Sequence, residues 1–221
     1  MKRIAAAVSV FIGACGPGIP NQVQTDWCAV DPEQTLVNTD CGVCLATLVP
    51  SYPDADQTWV VTRLEPTTAP FVVESVGYFA SGRPDGCDAG VAHRARVWVE
   101  ASDAPGRFLP AELAADVELE PVSNRILRPV EIVLPSPARL EAGDALFVAV
   151  QLASGDSGGA CLRACAARAV GRDWTTLDRT EPFEWTELNE TLASPVHIEA
   201  FAEGYVDRAS ATGRARMTAG N

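Results

Sequence analysis

The chain has 221 residues, 47% of them hydrophobic and 21% charged, an ordinary globular composition with room for one or two domains. Basic residues number 17 against 29 acidic ones, a net charge of −12, and Lys2 is the only lysine. An acidic chain without a basic run matches a phosphate backbone poorly, which sets nucleic-acid binding aside. The 16 prolines and 17 glycines, spread along the chain, favour many short elements over long helices.

At the N-terminus, Lys2 and Arg3 precede the mostly apolar stretch Ile4–Ile12. The stretch falls short of the roughly 20 residues a bilayer-spanning helix needs, and it has the form of a signal-peptide core. It closes on Ile12-Gly13-Ala14-Cys15. This order resembles the lipobox of bacterial lipoproteins: a branched aliphatic residue, two small residues for the peptidase cleft, then the cysteine to be lipidated. The resemblance implies that residues 1–14 are a signal peptide, that Cys15 carries diacylglycerol through a thioether, and that the membrane is a partner through this anchor. Each buried lipid methylene contributes about 0.8 kcal/mol, so several acyl chains hold stably. Gly16 stands where an inner-membrane retention aspartate would, and outer-membrane display is expected. An ordinary signal peptide with an unrelated cysteine is the plainer alternative. Loss of Lys2 and Arg3 would leave 15 bases against 29 acids, a mature charge of −14.

Residues 15–27 read as a lipidated tether and 28–58 as a cysteine-rich leader packed on the domain. Setting Cys15 aside, six of the seven cysteines remain: Cys28, Cys41, Cys44, Cys87, Cys161 and Cys165. An even number in an exported chain reads as disulfides of open connectivity. Zinc is the rival, since Cys41/Cys44 and Cys161/Cys165 could supply four thiolates. An oxidising compartment favours crosslinks, so no metal and no other cofactor is expected.

From Trp59 onward, short apolar or alternating runs recur between turn residues. They are Trp59–Leu64, Phe71–Phe79, Arg94–Glu100, Asp116–Glu120, Val130–Leu134, Ala145–Leu152, Leu162–Ala169, Phe183–Leu188 and Val196–Phe201. Glu65-Pro66, Gly82–Gly86, Pro135-Ser136-Pro137 and Ala142-Gly143-Asp144 read as breakers between them. Such spacing predicts an all-β antiparallel sandwich of eight or nine strands over residues 59–203, with a frayed tail at 204–221. Ala111–Asp116 (AELAAD) is the one stretch with a helical look. Parity puts Ala95, Val97 and Val99 on one face and Arg94, Arg96, Trp98 and Glu100 on the other. Ala145–Leu152 is apolar on both faces, as a covered central strand should be.

Three stretches are similar to a family of secreted bacterial jelly-roll β-sandwich domains. Val72–Phe79 (VVESVGYF) resembles its early strand. Leu134-Pro135-Ser136-Pro137 with Leu140–Val150 resembles its proline turn and long apolar strand. Trp174 through Trp185–Leu188, then Val196–Phe201, resembles its closing hairpin. The resemblance implies fold and compartment. It brings no single activity, because such domains accompany exported proteases, glycosidases and surface proteins.

Gly155-Asp156-Ser157-Gly158-Gly159 matches the nucleophile sequence of chymotrypsin-like serine proteases, which makes a small serine hydrolase using Ser157 the rival function. The upstream base would be His93, with Asp103 or Asp116 as the orienting carboxylate, and none of these lies in a matching motif. His197 follows the serine and would need a different triad order. A Gly/Ser/Asp turn after an apolar strand accounts for the stretch without chemistry. Loop aspartates Asp54, Asp56, Asp85 and Asp88 lack the spacing of a calcium loop.

The binding candidates are Trp98 with Arg96 and Glu100, and the late tryptophans Trp174 and Trp185. An indole between an arginine and a carboxylate could stack on a sugar ring while the charges bind its hydroxyls. The plainer account is an indole covered by the second sheet or the cysteine leader. The sequence thus predicts an exported, lipid-anchored, non-catalytic sandwich with a binding role at the envelope, toward a glycan or a protein. A purely structural envelope lipoprotein is the other alternative.

Overall fold

Period-two alternation sorts side chains between the two faces of each strand, and in this chain both faces are used. The computed structural model describes residues 9–12, 30–37, 46–49, 58–81, 93–101, 105, 113–119, 129–152, 154–155, 158–159, 161–166, 171–176, 183–188 and 196–209. Within them the strands in chain order are β1 (Ser9–Ile12), β2 (Thr35–Val37), β3 (Ala46–Val49), β4 (Thr58–Leu64), β5 (Phe71–Ser81), β6 (His93–Glu100), β7 (Leu113–Leu119) and β8 (Pro129–Leu140). They continue with β9 (Ala145–Leu152), β10 (Ser154–Gly155), β11 (Gly158–Gly159), β12 (Cys161–Ala166), β13 (Asp173–Thr176), β14 (Thr186–Glu187), β15 (Val196–Ile198) and β16 (Ala200–Val206).

Two antiparallel sheets form a sandwich. The first runs β1-β3-β12-β5-β16-β2, with β15 beside β12 and β8 beside β5; the second runs β14-β13-β4-β9-β6-β7. Between them lies one core. The second sheet sends in Val60, Leu64, Leu146, Val148, Val150, Ala95 and Val97, and the first answers with Phe71, Val73, Val76, Tyr78, Ile132 and Leu140. The cross-strand register Val60↔Val150 and Ala95↔Val150 stacks these side chains in rows. Fully burying a side chain of this kind stabilises by about 1.5–3 kcal/mol, so the pattern also locks the register, because a one-residue slip would turn every one outward.

Several elements differ from the sequence reading. Residues of the expected leader form β2 and β3, which are members of the first sheet and not a separate layer. Val30 and Val37 pack on Phe79 and Phe201 on that sheet's outer face. The strand read as Val130–Leu134 extends through the expected Pro135–Pro137 break to Leu140. The register jumps there from Ser75↔Val133 to Val73↔Ala138, so Leu134–Pro137 bulge past Glu74. Prolines lack the N–H a ladder would need, and a bulge on a strand that among the described residues pairs with β5 alone costs nothing in that respect. Ala111–Asp116 is not helical where described: Leu113 onward is strand, held by pairing to β6. The chain past residue 203 does not fray at once, since β16 runs to Val206 and Arg139 binds Asp207. β1 comes from the expected signal peptide and, among the described residues, pairs with β3 alone at the sheet's end, so its removal would leave the other described ladders intact.

Two glycines of β5 and β16 are sites of close approach. The Phe201 ring lies over its cross-strand partner Gly77. Gly204 follows the register shift in β16, and a Cβ there would stand 1.9 Å from the Val72 carbonyl oxygen. Backbone cannot yield as a side-chain tip can. Gly204→Ala is therefore expected to lower the urea-unfolding free energy by about 1–3 kcal/mol, and a variant as stable as the parent would refute the close approach.

Candidate functional site

The outward positions of the second sheet carry the same odd-or-even regularity as the core but a different chemistry. Trp59 and Val61 on β4, Ala145, Phe147 and Ala149 on β9, Trp98 on β6 and Trp174 on β13 form a second apolar cluster, closed over by Phe183, with Leu113 and Trp185 at its margin. Trp98 and Phe147 are direct cross-strand partners, and their rings stack at 5.3 Å with 13° between planes. Phe147 also meets Trp174 at 6.1 Å. Phe183 sits 6.1 Å from Trp59 and packs edge-on against Trp185 at 5.7 Å, so the approach to β14 folds back across the face.

Charge is threaded through this cluster. Ala149 is the partner of both Val61 and Arg96. With only a methyl on β9 at that level, the Arg96 side chain can cross toward β4, and its guanidinium lies 5.0 Å from the Trp59 ring centre, a cation–π contact. Arg96 Nε is 3.4 Å from Asp116, whose carboxylate is also held by Arg94 at 2.5 and 2.6 Å. Trp98 Nε1–H donates to Glu100 at 3.3 Å.

The structure thus brings Trp98, Arg96, Glu100, Trp174 and Trp185 to one face. Trp98 is covered, at 3% exposure, on the face turned away from the opposite sheet: among the described residues, Phe147 and Leu113 of its own sheet pack with it there. Trp185 and Glu100 keep partial exposure at the rim. Trp59, Phe147 and Phe183 are additional members. The first two share the parity of their strands' outward positions, a signal the sequence held; Phe183 reaches the cluster from a loop, where no periodicity marks it. Cys15, Cys28, Cys41, Cys44, Cys87, Ser157, Asp103 and the four loop aspartates lie outside the described residues. Cys161 and Cys165 both lie on β12.

Histidine chemistry is elsewhere. Tyr78 Oη is 2.6 Å from His93 Nε2 in the core, and burial pushes the phenol far above its ordinary range, so it stays protonated. Asp116 is the register partner of Arg96 on the outer face, while His93 shares the inward parity of Ala95 and Val97, so Asp116 cannot orient His93. The histidine that holds a carboxylate is His197: its Nδ1 is 2.7 Å from Asp173 Oδ2, and Asp173 Oδ1 accepts the Ile198 N–H at 3.1 Å. Asp173 belongs to the second sheet and His197 to the first, so one carboxylate bridges the sandwich. Both side chains are fully buried, and His197 Nε2 has no hydrogen-bond partner among the described residues. Gly155 and Gly158 are register partners in the β10–β11 ladder.

The chain matches no known protein family, and no curated protein matches it in sequence. Among solved structures, it is similar to that of the cysteine protease and lectin-like domains of Cwp84, a surface layer associated protein of Clostridium difficile. That match has a TM-score of 0.50 and 11% identity, over 80% of this chain and 37% of that one. The Clostridial cysteine protease Cwp84 after propeptide cleavage is similar at TM-score 0.52 and 12% identity, over 80% and 41%. The chain spans less than half of either, and at such identity the likeness is one of fold: an all-β, antiparallel, two-sheet sandwich.

Removing the Asp173 carboxylate takes away the acceptor that the buried Ile198 N–H and the His197 ring share. Asp173→Ala is expected to cost about 3 kcal/mol in denaturant unfolding, with Asp173→Asn costing less because an amide oxygen still accepts. Equal and negligible costs would show that the bridge contributes nothing.

Proposed function

We propose that this protein is an exported, lipid-anchored, jelly-roll-type domain with a non-catalytic binding role at the bacterial cell envelope, acting on a glycan through the outer face of its second sheet. The observation that carries the reading is the gathering of Trp59, Trp98 and Trp174 with the guanidinium of Arg96 on the face that does not form the sandwich core. A ring stacks on an indole, and the arginine and Glu100 supply directional partners for hydroxyls. The half-buried Trp185 and Glu100 are the first contact, and deeper engagement displaces Phe183 from Trp59. Support comes from the sandwich likeness to a surface-layer-associated protein whose solved structure includes a lectin-like domain. A protein ligand on the same face, or a structural role with no soluble ligand, is the alternative.

Binding is expected on an array of bacterial cell-wall and surface glycans, with quenching of tryptophan fluorescence. Trp185→Ala should weaken binding about tenfold or more, the order a lost anchor gives, and Trp98→Phe should weaken it while keeping the fold. No glycan bound, or binding untouched by both variants, removes the glycan reading. A fluorophosphonate that labels Ser157 would instead establish the hydrolase.

The anchor is tested separately. Cells fed an alkyne fatty acid should incorporate it into the wild-type chain and not into Cys15→Ser, which should leave the membrane fraction. Unchanged labelling of the variant would refute lipidation at Cys15.

A further inference from the structure

His197 is fully buried, and its two ring nitrogens are treated unequally. Nδ1 lies 2.7 Å from the Asp173 carboxylate, so Nδ1–H donates there and the lone pair of the neutral ring sits on Nε2. Nε2 has no hydrogen-bond partner among the described residues. A buried polar atom left in this way costs about 1–3 kcal/mol. Such atoms in native proteins mark a bound water, an ion or a chemical role.

The backbone decides where Nε2 is turned. Glu199 N–H donates to the Arg163 carbonyl of β12 at 2.9 Å. Successive N–H groups of a strand point to opposite sides, so the Ile198 N–H leaves β15 on the side away from β12. That N–H meets Asp173, which therefore lies beyond the far edge of β15. Nδ1 reaches toward Asp173 on that side, and the other ring nitrogen is turned back toward β12. There the register partner of His197 is Cys165. Residues directly opposite in an antiparallel pair share a face, with Cβ atoms about 4.5–5.5 Å apart. A thiolate and an imidazole hold a first-row ion at roughly 2.3 and 2.0 Å, lengths that suit an ion shared by two such neighbours. Cys161 does not compete for Cys165 within the strand. At about 3.3 Å per residue their Cα atoms are about 13 Å apart along β12, beyond the roughly 7 Å a disulfide spans.

We propose that Cys165 and His197 form a binding site for monovalent copper, with Asp173 as the carboxylate that positions the imidazole. Thiolate is a soft donor and imidazole a borderline one, and copper accepts both. Hard cations such as calcium and magnesium take oxygen ligands instead. Asp173 keeps the proton on Nδ1, which leaves Nε2 to coordinate and fixes the ring plane, the role a carboxylate plays behind a metal-bound histidine. Binding releases the thiol proton to solvent, while the Nδ1 proton stays between His197 and Asp173. Glu199, two residues on and on the same face, is held by Arg163 at 2.6 Å and stays outside the site. The ion would join β12 to β15 at the point where Asp173 already joins β15 to the second sheet.

The probe is Cu(I) itself, kept reduced by ascorbate and offered to the full chain in competition with the chromogenic chelator bicinchoninate. The protein is isolated without thiol reductant. The wild-type chain is expected to withhold a stoichiometric Cu(I) from the chelator, and Cys165→Ser to surrender it. Asp173→Asn should weaken the hold about 10–100-fold. X-ray absorption at the copper edge should find sulfur and imidazole nitrogen together, with the nitrogen signal lost in His197→Gln. Asp173→Asn and His197→Gln also touch the bridge between the sheets, so copper-free unfolding is measured beside affinity. Cys165→Ser leaves that bridge alone and decides the matter if the other two do not fold. No copper withheld by the wild-type chain overturns the proposal. So does a Cys165→Ser variant that holds copper as tightly as the wild type, which would place the ion on other cysteines. Recovery of Cys165 in a disulfide, by peptide mapping of the unreduced protein, overturns it as well.

Discussion

The second sheet has apolar side chains on both of its faces, and most of the architecture follows from covering them. Its middle strand β9 turns Leu146, Val148 and Val150 toward the first sheet and Ala145, Phe147 and Ala149 away from it. A sheet in a sandwich buries one face by construction. The other must be covered by further chain or left in water at a cost of about 25 cal/mol for each Å² of apolar surface. Here Phe183 closes over Trp59, Trp98 stacks on Phe147, and the outer face becomes a thin second core.

That arrangement explains why charged groups survive in an aromatic cluster. Arg96 lies against an indole in place of water and keeps a carboxylate beside it, so its charge is compensated where it is largely buried. On the first sheet, Arg163 pairs with the buried Glu199 at 2.6 Å and lies over the Phe79 ring at 5.1 Å. Each sheet thus has an outer layer of aromatic rings with an arginine laid against them. The Asp173 bridge works differently. Its carboxylate accepts the Ile198 N–H from the opposite sheet. A buried ion pair adds little net stability against an apolar substitute, but this one joins two elements that no strand pairing among the described residues connects.

The long strands were legible because their periodicity is local. Parity placed Arg96, Trp98 and Glu100 together, and the two-faced apolarity of β9 pointed to a covered central strand. The short strands β2, β3 and β13 escaped detection, since three or four residues carry too little alternation. The prolines of β8 misled for a definite reason: they break a ladder only where an N–H is required, and the bulge opposite Glu74 removes that requirement. Leu113–Asp116 shows the converse, the described part of a stretch of good helix formers drawn into a strand by the neighbouring β6.

By itself the sequence determined which side chains share a face along each strand, because that depends only on the two-residue repeat of the backbone. It determined the acidic, lysine-poor composition and the order of residues around Cys15. Only the tertiary structure decided what covers each face. The ring neighbours of Phe147 are Trp98 and Trp174, and Phe183 meets Trp59 from far along the chain. Such contacts depend on strand order and register, which no local pattern encodes. The same limit separates Cys161 from Cys165: four residues apart, they look like a pair, and the extended backbone between them holds them at opposite ends of one strand.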